Sequence, residues 1–205
     1  DCELSRGLGD VYKRQREQGV KKILNYFKKF VNTYVYTQNS GIINIKENIK
    51  LQDVASVNWH VIAKSMSKKL KDAIVIDLGS TTTDFILIKN SEVINKRLDD
   101  FSGLSSRELL YVGCLRTPPY IFGQSLQIDK KNIQMIPENF SSLADVYRII
   151  RKLPKKFYYC STCDGKDKDI KSCMVRFARN FGFDYKKIHH NFLISAAKKI
   201  SGLHI

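Results

Sequence analysis

Asp77-Leu78-Gly79-Ser80-Thr81-Thr82-Thr83-Asp84 sets two carboxylates at the ends of a run holding one glycine and four hydroxyl side chains. Such a set suits a phosphate group and its divalent cation. A carboxylate at the end of a strand can hold the water shell of Mg²⁺, an ion that keeps several of its waters when bound. Glycine lets the main chain turn and approach a ligand without a Cβ in the way. Successive Ser and Thr residues then concentrate backbone N–H donors and hydroxyls where phosphate oxygens would lie. Asp77 is therefore the candidate metal ligand, Asp77 and Asp84 the candidate catalytic carboxylates, and Gly79, Ser80, Thr81, Thr82 and Thr83 the candidate phosphate contacts. The segment is not a Walker loop, because it lacks the Gly-Lys-Ser/Thr ending and leads into the strand-like run Phe85-Ile86-Leu87-Ile88. The plainer alternative is a polar turn linking two strands. Three threonines between aspartates, straight after an apolar run, are more than a linker needs.

Other side chains carry weaker signals, each with a bland reading beside it. Arg116 is either a second phosphate ligand, its guanidinium forking onto oxyanions, or one half of a surface ion pair. Asp164 is a Mg²⁺ or substrate contact, or a turn-capping residue ahead of Gly165. Asn58 is a ligand or the maker of a buried hydrogen bond, and its neighbour Trp59 belongs to the core. Asp145 and Arg148, three apart on a helix, can pair with each other. His60, His189, His190 and His204 show no metal spacing. Cys160 and Cys163 form a CxxC, but no second pair stands at ligand distance in sequence, so zinc is not expected.

The elements that must position these residues follow from periodicity. Apolar residues at three- and four-residue spacings from Glu17 to Val31 predict a helix with one buried face. Tyr34-Val35-Tyr36 and Ile42-Ile43-Asn44-Ile45 around Gln38-Asn39-Ser40-Gly41 predict a hairpin. Asp53 is the expected N-cap of a helix reaching Leu70. Ala73–Ile76 reads as a strand buried on both faces, followed by runs at 85–88 and 93–94 about a tight Asn90-Ser91 turn, making a meander. The loop from Asp99 to Ser106 precedes a strand at Leu109–Cys114, which Pro118 must end. Helices are expected at 140–153, capped by Ser141 or Ser142, at 170–181 and at 192–200, with a polar loop at 164–169.

Length and composition bound the class. At 205 residues, 43% hydrophobic and 27% charged, the chain can bury a core and has ordinary globular composition. The net charge of +15 comes mostly from Lys, 25 of the 35 basic residues, spread along the whole sequence. No recognised nucleic-acid module accompanies it, so no specific nucleic-acid partner is expected. No apolar stretch is long enough for a transmembrane helix, no signal peptide is legible, and a cytoplasmic location with no membrane partner is the default expectation.

The loop resembles the phosphate loops of the actin, sugar-kinase and heat-shock-ATPase superfamily, and in detail the DxGxTTTD loop of hydantoinase A and oxoprolinase-related proteins. Further stretches resemble one branch, linked to tetrahydromethanopterin-dependent C1 transfer and methanofuran biosynthesis. They are Val57-Asn58-Trp59, Glu108–Pro118, Ala144–Ile149, Thr162-Cys163-Asp164-Gly165-Lys166-Asp167 and Arg176-Phe177-Ala178-Arg179, collinear over about residues 34–200. Cys163 stands where that branch is expected to have alanine. The resemblance implies an α/β, ribonuclease-H-like (actin-like ATPase) lobe with a mixed sheet, a phosphate-binding β-hairpin and flanking helices. It further implies Mg²⁺ with ATP or a substrate diphosphate as the small-molecule partner, and carries over Asn58, Thr117, Asp164 and Gly165 as substrate contacts.

The implied activity is the joining of an aminomethylfuran diphosphate to γ-glutamyltyramine with release of pyrophosphate. ATP-dependent opening of a ring amide, and a nucleotide-binding scaffold without turnover, are the alternatives. The opening residues 1–16 look foreign, since Ser5–Gln15 resembles a sequencing-adapter read-through. On this reading the natural N-terminal third is missing and the chain alone is inactive. Residues 17–50 would then be a remnant of the upstream lobe, and 51–205 the ribonuclease-H-like, hydantoinase-type domain.

Overall fold

The computed structural model describes residues 16–204; the foreign-looking opening stretch lies outside them but for Arg16. The architecture is mixed α/β, with small antiparallel sheets and helices in two compact units. Of the described residues, one unit comprises those up to Asp77 together with Asp84–Leu110; the other comprises Leu78–Thr83 and those from Tyr111 onward. Among the described residues no helix is long and apolar enough to cross a membrane.

The first unit opens with helix α1 (Arg16–Phe27). Its apolar spacing produces the helix but not the expected buried face. Leu24 is buried, whereas Ile23, Phe27 and Phe30 are each more than two-fifths exposed. Periodicity specifies a stripe, and says nothing about whether a partner covers it. The hairpin forms as expected from β1 (Tyr34–Thr37) and β2 (Gly41–Asn44), with Thr37 opposite Gly41 and Gly41 at φ +70°. Asp53 does not cap a helix. It ends a short 3₁₀ turn and accepts from the Asn39 amide at 2.8 Å, while helix α2 (Asn58–Ser67) starts five residues later, beyond Ser56 at φ +55°. That positive φ interrupts any continuous helix from Asp53.

The unit's sheet runs β3 (Ala73–Leu78), β4 (Thr83–Lys89), β5 (Glu92–Val93), with the two-residue β6 (Leu109–Leu110) also paired to β4. The Asn90-Ser91 turn has both residues at positive φ, the hairpin geometry whose twist matches the strands. The Asn95 side chain extends the ladder by accepting from Leu87 N at 2.6 Å and donating to Phe85 O at 2.8 Å. Trp59 and Ala63 of α2 pack on Ile86 and Ile88, with Ala73 and Val75 at the margin. The expectation that β3 is buried on both faces fails. Ile74 and Ile76 are 69% and 61% exposed, because only the Ala73–Val75–Asp77 side turns toward the core.

The second unit holds the larger core. Hairpin β7 (Ser125–Ile128) and β8 (Lys131–Gln134) turns at Asp129-Lys130, again both at positive φ, and had no counterpart in the sequence reading. Helices α4 (Leu143–Ile149), α5 (Ile170–Arg179) and α6 (His190–His204) bury Leu143, Val146, Phe177, Leu193, Ala197 and Ile200 completely. Each of the larger ones, Leu, Val, Phe or Ile, is worth about 1.5–3 kcal/mol when withdrawn from water. Ser142 caps α4 as expected, and Asp169 caps α5 by accepting from Ser172 N at 3.0 Å. The helix α3 (Asp100–Ser105), in the first unit, replaces part of the expected 99–106 loop through an Asp99–Ser102 capping box.

Candidate functional site

The bend at 79–82 is held by its own backbone and by the segment after β6. Gly79 N donates to Thr82 O at 2.8 Å, closing a four-residue turn. The carbonyls of the bend are taken from outside: Cys114 N donates to Gly79 O at 2.9 Å, and Leu115 N and Arg116 N both donate to Ser80 O, at 3.2 and 2.9 Å. These bonds explain why the expected strand at Leu109–Cys114 shrinks to two residues. Gly113 N is taken by the Thr117 hydroxyl and Cys114 N by the bend, so neither joins a ladder. Gly79 is not at positive φ; its need for no side chain is spatial, since a Cβ there would stand 3.1 Å from Thr82 O.

With those carbonyls engaged, the donors remain. Among the described residues no protein acceptor takes the N–H of Ser80, Thr81 or Thr82. The hydroxyls of Ser80 and Thr81 lie 3.4 Å apart, and all three residues are half-buried. Successive N–H groups without a protein acceptor, beside neighbouring hydroxyls, are the donor set that an oxyanion calls for. Thr83 departs from the expectation. It is buried, and its hydroxyl donates to Val112 O at 2.5 Å, so it anchors the bend and is not turned to a ligand.

Sequence reasoning missed Gly113. A Cβ built there would lie 2.5 Å from Thr81 N and 2.6 Å from both Ser80 C and Thr81 C, so the bend rests directly on this residue's bare backbone. The signal was present, since a glycine inside an apolar run often marks close backbone approach. Thr117 locks the same place. Its buried hydroxyl accepts from Gly113 N at 2.8 Å and donates to Gly113 O at 2.9 Å, so the side chain expected to touch substrate also holds this segment in shape.

Arg116 follows the bend's backbone partners into a cavity of about 310 Å³, walled by Asn139, Ser141, Cys160, Thr162 and Cys163. Among the described residues no carboxylate pairs with Arg116. Asp145, also in the cavity wall, pairs not with Arg148 but with Arg176, which is 2% exposed and gives it hydrogen bonds of 2.9 and 2.8 Å. Tyr158 OH and Ser142 N donate to the same carboxylate. Burial works against the Arg176 charge, but the Asp145 hydrogen bonds and charge outweigh it and raise its pKa further. Asp164 proves to be the turn cap. It accepts from Lys166 N at 3.1 Å before Gly165 at φ +67°, and from Arg176 at 3.1 Å. Burial alone would raise its pKa, yet these partners hold it below the carboxylate range. Burial pushes the thiols of Cys114, Cys160 and Cys163 up, so none is poised as a thiolate nucleophile.

The flanking aspartates belong to the first unit. Asp77, half-buried on the inward side of β3, has no hydrogen-bond or ion-pair partner among the described residues. Asp84 is buried and bound by Arg97, whose guanidinium lies 4.1 Å over the Trp59 ring and also donates to Glu108 O at 3.3 Å. Burial raises the Asp84 pKa, against the opposing pull of Arg97. Asn58 is exposed at the start of α2, which removes the buried-hydrogen-bond alternative, and Trp59 is core as expected. Among the described residues no group of three or more His, Cys, Asp or Glu side chains could hold a metal on its own.

Comparison with known proteins supports the same lineage. The hydantoinase/oxoprolinase family model matches residues 8–201. A Methanocaldococcus jannaschii protein named (4-{4-[2-(gamma-L-glutamylamino)ethyl]phenoxymethyl}furan-2-yl)methanamine synthase is 35% identical over 201 residues, covering 96% of this chain and 60% of that protein. A Methanococcus vannielii protein of the same name is 29% identical over 146 residues, covering 64% of this chain and 65% of its own length. The chain thus spans less than two thirds of the length of these relatives, which are of the synthase branch that the sequence motifs resemble. With a matched region running from residue 8, ahead of α1, through the bend and into α6, the chain belongs to the hydantoinase/oxoprolinase family.

Proposed function

We propose that this chain forms the phosphate-binding, ribonuclease-H-like lobe of a synthase that makes an aryl ether with loss of diphosphate. The relatives' name describes a product in which the phenolic oxygen of a γ-glutamylated tyramine is bonded to the methylene carbon of an aminomethylfuran. Making that bond requires a leaving group on the methylene carbon. With an aminomethylfuran diphosphate, the phenol gives up its proton to water, the phenolic O–CH₂ bond forms, and the CH₂–O bond to the diphosphate breaks, its electron pair departing on the oxygen of pyrophosphate.

The observation that carries this reading is the row of unpaired N–H groups at Ser80, Thr81 and Thr82. Donors fixed in place before the reaction stabilise charge as it develops on a departing oxyanion, with no reorganisation at that moment. Their carbonyls are already pinned by Cys114, Leu115 and Arg116, so the row cannot easily turn away. Asp77 is the residue that would hold Mg²⁺. A single carboxylate without a protein partner suits that ion, which fills its remaining positions with water and phosphate oxygens. When bound, the ion would neutralise charge on the leaving diphosphate. Asp84 acts by position, anchored by Arg97 in the strand that leaves the bend.

The test is a calorimetric titration of the chain with magnesium pyrophosphate. Wild type binds it, and Asp77→Asn binds at least about tenfold more weakly, the loss expected for a charged partner, with an unchanged urea melt. Equal affinity in the two proteins, or no binding to either, defeats the reading.

A further inference from the structure

The cavity beside the bend has the chemistry of a second, different ligand. Two groups in its wall still offer N–H donors. Arg116 is half-buried without a carboxylate partner, and Asn139 keeps its amide nitrogen because its oxygen already accepts from Tyr120 OH at 3.1 Å. The neighbouring hydroxyls and thiol are committed within the protein: Ser141 donates to Asn180, Thr162 to Lys166 O and Cys163 to Phe140 O. A wall that presents donors calls for an acceptor, and a planar guanidinium matches a carboxylate through two parallel hydrogen bonds.

Charge decides between kinds of anion. Of the charged side chains in the wall, Asp145 is already neutralised by Arg176, and Arg116 has no carboxylate partner among the described residues. A diphosphate would bring several negative charges to that one cation and face the Asp145 carboxylate as well. A single carboxylate matches Arg116 charge for charge. A volume of about 310 Å³ lies at the small end of ligand cavities, which run from roughly 300 to 1,000 Å³.

We infer that this cavity binds the amino-acid head of the acceptor substrate, the glutamyl carboxylate resting on Arg116 and Asn139. The inference rests on the proposed synthase reading for the identity of the acceptor, but not on the bend as a phosphate seat. Separate titrations of the chain with γ-glutamyltyramine, tyramine and magnesium pyrophosphate test it. Wild type is expected to bind γ-glutamyltyramine and not tyramine. Arg116→Gln should weaken γ-glutamyltyramine at least about tenfold and leave magnesium pyrophosphate unchanged. If Arg116→Gln loses its circular-dichroism signal, Asn139→Asp on the exposed rim carries the same comparison, its new charge repelling the carboxylate. Equal binding of tyramine and γ-glutamyltyramine, no binding of the latter, or a loss that falls on pyrophosphate would overturn the assignment. Retained γ-glutamyltyramine binding with no pyrophosphate binding would sink the phosphate seat alone and leave this cavity's role standing.

Discussion

Substituting Gly113 with alanine tests whether the bend's shape depends on a bare backbone beneath it. The new methyl would begin 2.5 Å from Thr81 N and 2.6 Å from two backbone carbons, where ordinary contact starts at 3.4 Å. Backbone cannot rotate aside as a flexible side chain can, so the bend must lift by about 1 Å, the difference between overlap and normal contact. Lifting it that far stretches the bonds to Gly79 O and Ser80 O, now 2.9–3.2 Å, to about 4 Å, past hydrogen-bond range. Overpacking of this kind costs about 1–3 kcal/mol, and each backbone bond lost adds about 0.5–1.5 kcal/mol. With three such bonds lost, the two sources together come to about 2.5–7.5 kcal/mol. Urea denaturation would measure it, with Gly202→Ala in α6 as the control. A Cβ at Gly202 meets nothing within 4 Å, and alanine there should stabilise by about 0.5–1 kcal/mol. Magnesium pyrophosphate affinity should fall in Gly113→Ala and hold in Gly202→Ala. A Gly113→Ala protein that melts within about 0.5 kcal/mol of wild type and binds magnesium pyrophosphate equally well would refute the close-approach argument.

Two further substitutions probe the supports. Arg97→Met strands Asp84 as an uncompensated buried carboxylate and should cost about 3–5 kcal/mol, while Arg97→Met combined with Asp84→Asn should cost clearly less than the single change; additive costs in the urea melts would show that the pair is not coupled. Asp169→Ala removes the cap of α5 and should cost about 1 kcal/mol at neutral pH. The Ser172 hydroxyl and N–H hold the Asp169 pKa below its ordinary 3.8, so this stability is present above that pH and lost as the pH falls through the depressed value. A difference between wild type and Asp169→Ala that is as large at pH 2 as at pH 7 would contradict the charged-cap account.

Where the sequence was legible, a local cause was sufficient. The 34–45 hairpin follows from β-rich runs around a glycine that takes φ +70°, the β4–β5 hairpin from Asn90-Ser91, and α4 from its Ser142 cap. Where it failed, the cause lay in partners distant along the chain. The run 73–76 is apolar throughout, and an apolar run cannot state whether one face or both are covered. The structure leaves Ile74 and Ile76 open and turns Val75 inward. Asp53 has the right type for an N-cap, but the hairpin's Asn39 claims its carboxylate instead.

The candidate site divides in the same way. Residue types named the bend, because glycine and hydroxyls at that spacing have few other uses, but they could not say which hydroxyls face a ligand. Thr83 and Thr117 look like their neighbours in sequence, and differ only in that Val112 O and Gly113 lie within reach. Arg97 drew no attention at all, since a lone arginine between a strand and a polar loop is usually a surface residue. Its importance comes from three long-range partners: Asp84, Glu108 O and the Trp59 ring. A phosphate seat built from backbone N–H groups has almost no side-chain signature of its own. What a sequence can record is the set of residues that hold such a backbone still, and at this bend those are a glycine with no room for a methyl and a threonine whose hydroxyl is bonded to that glycine's backbone.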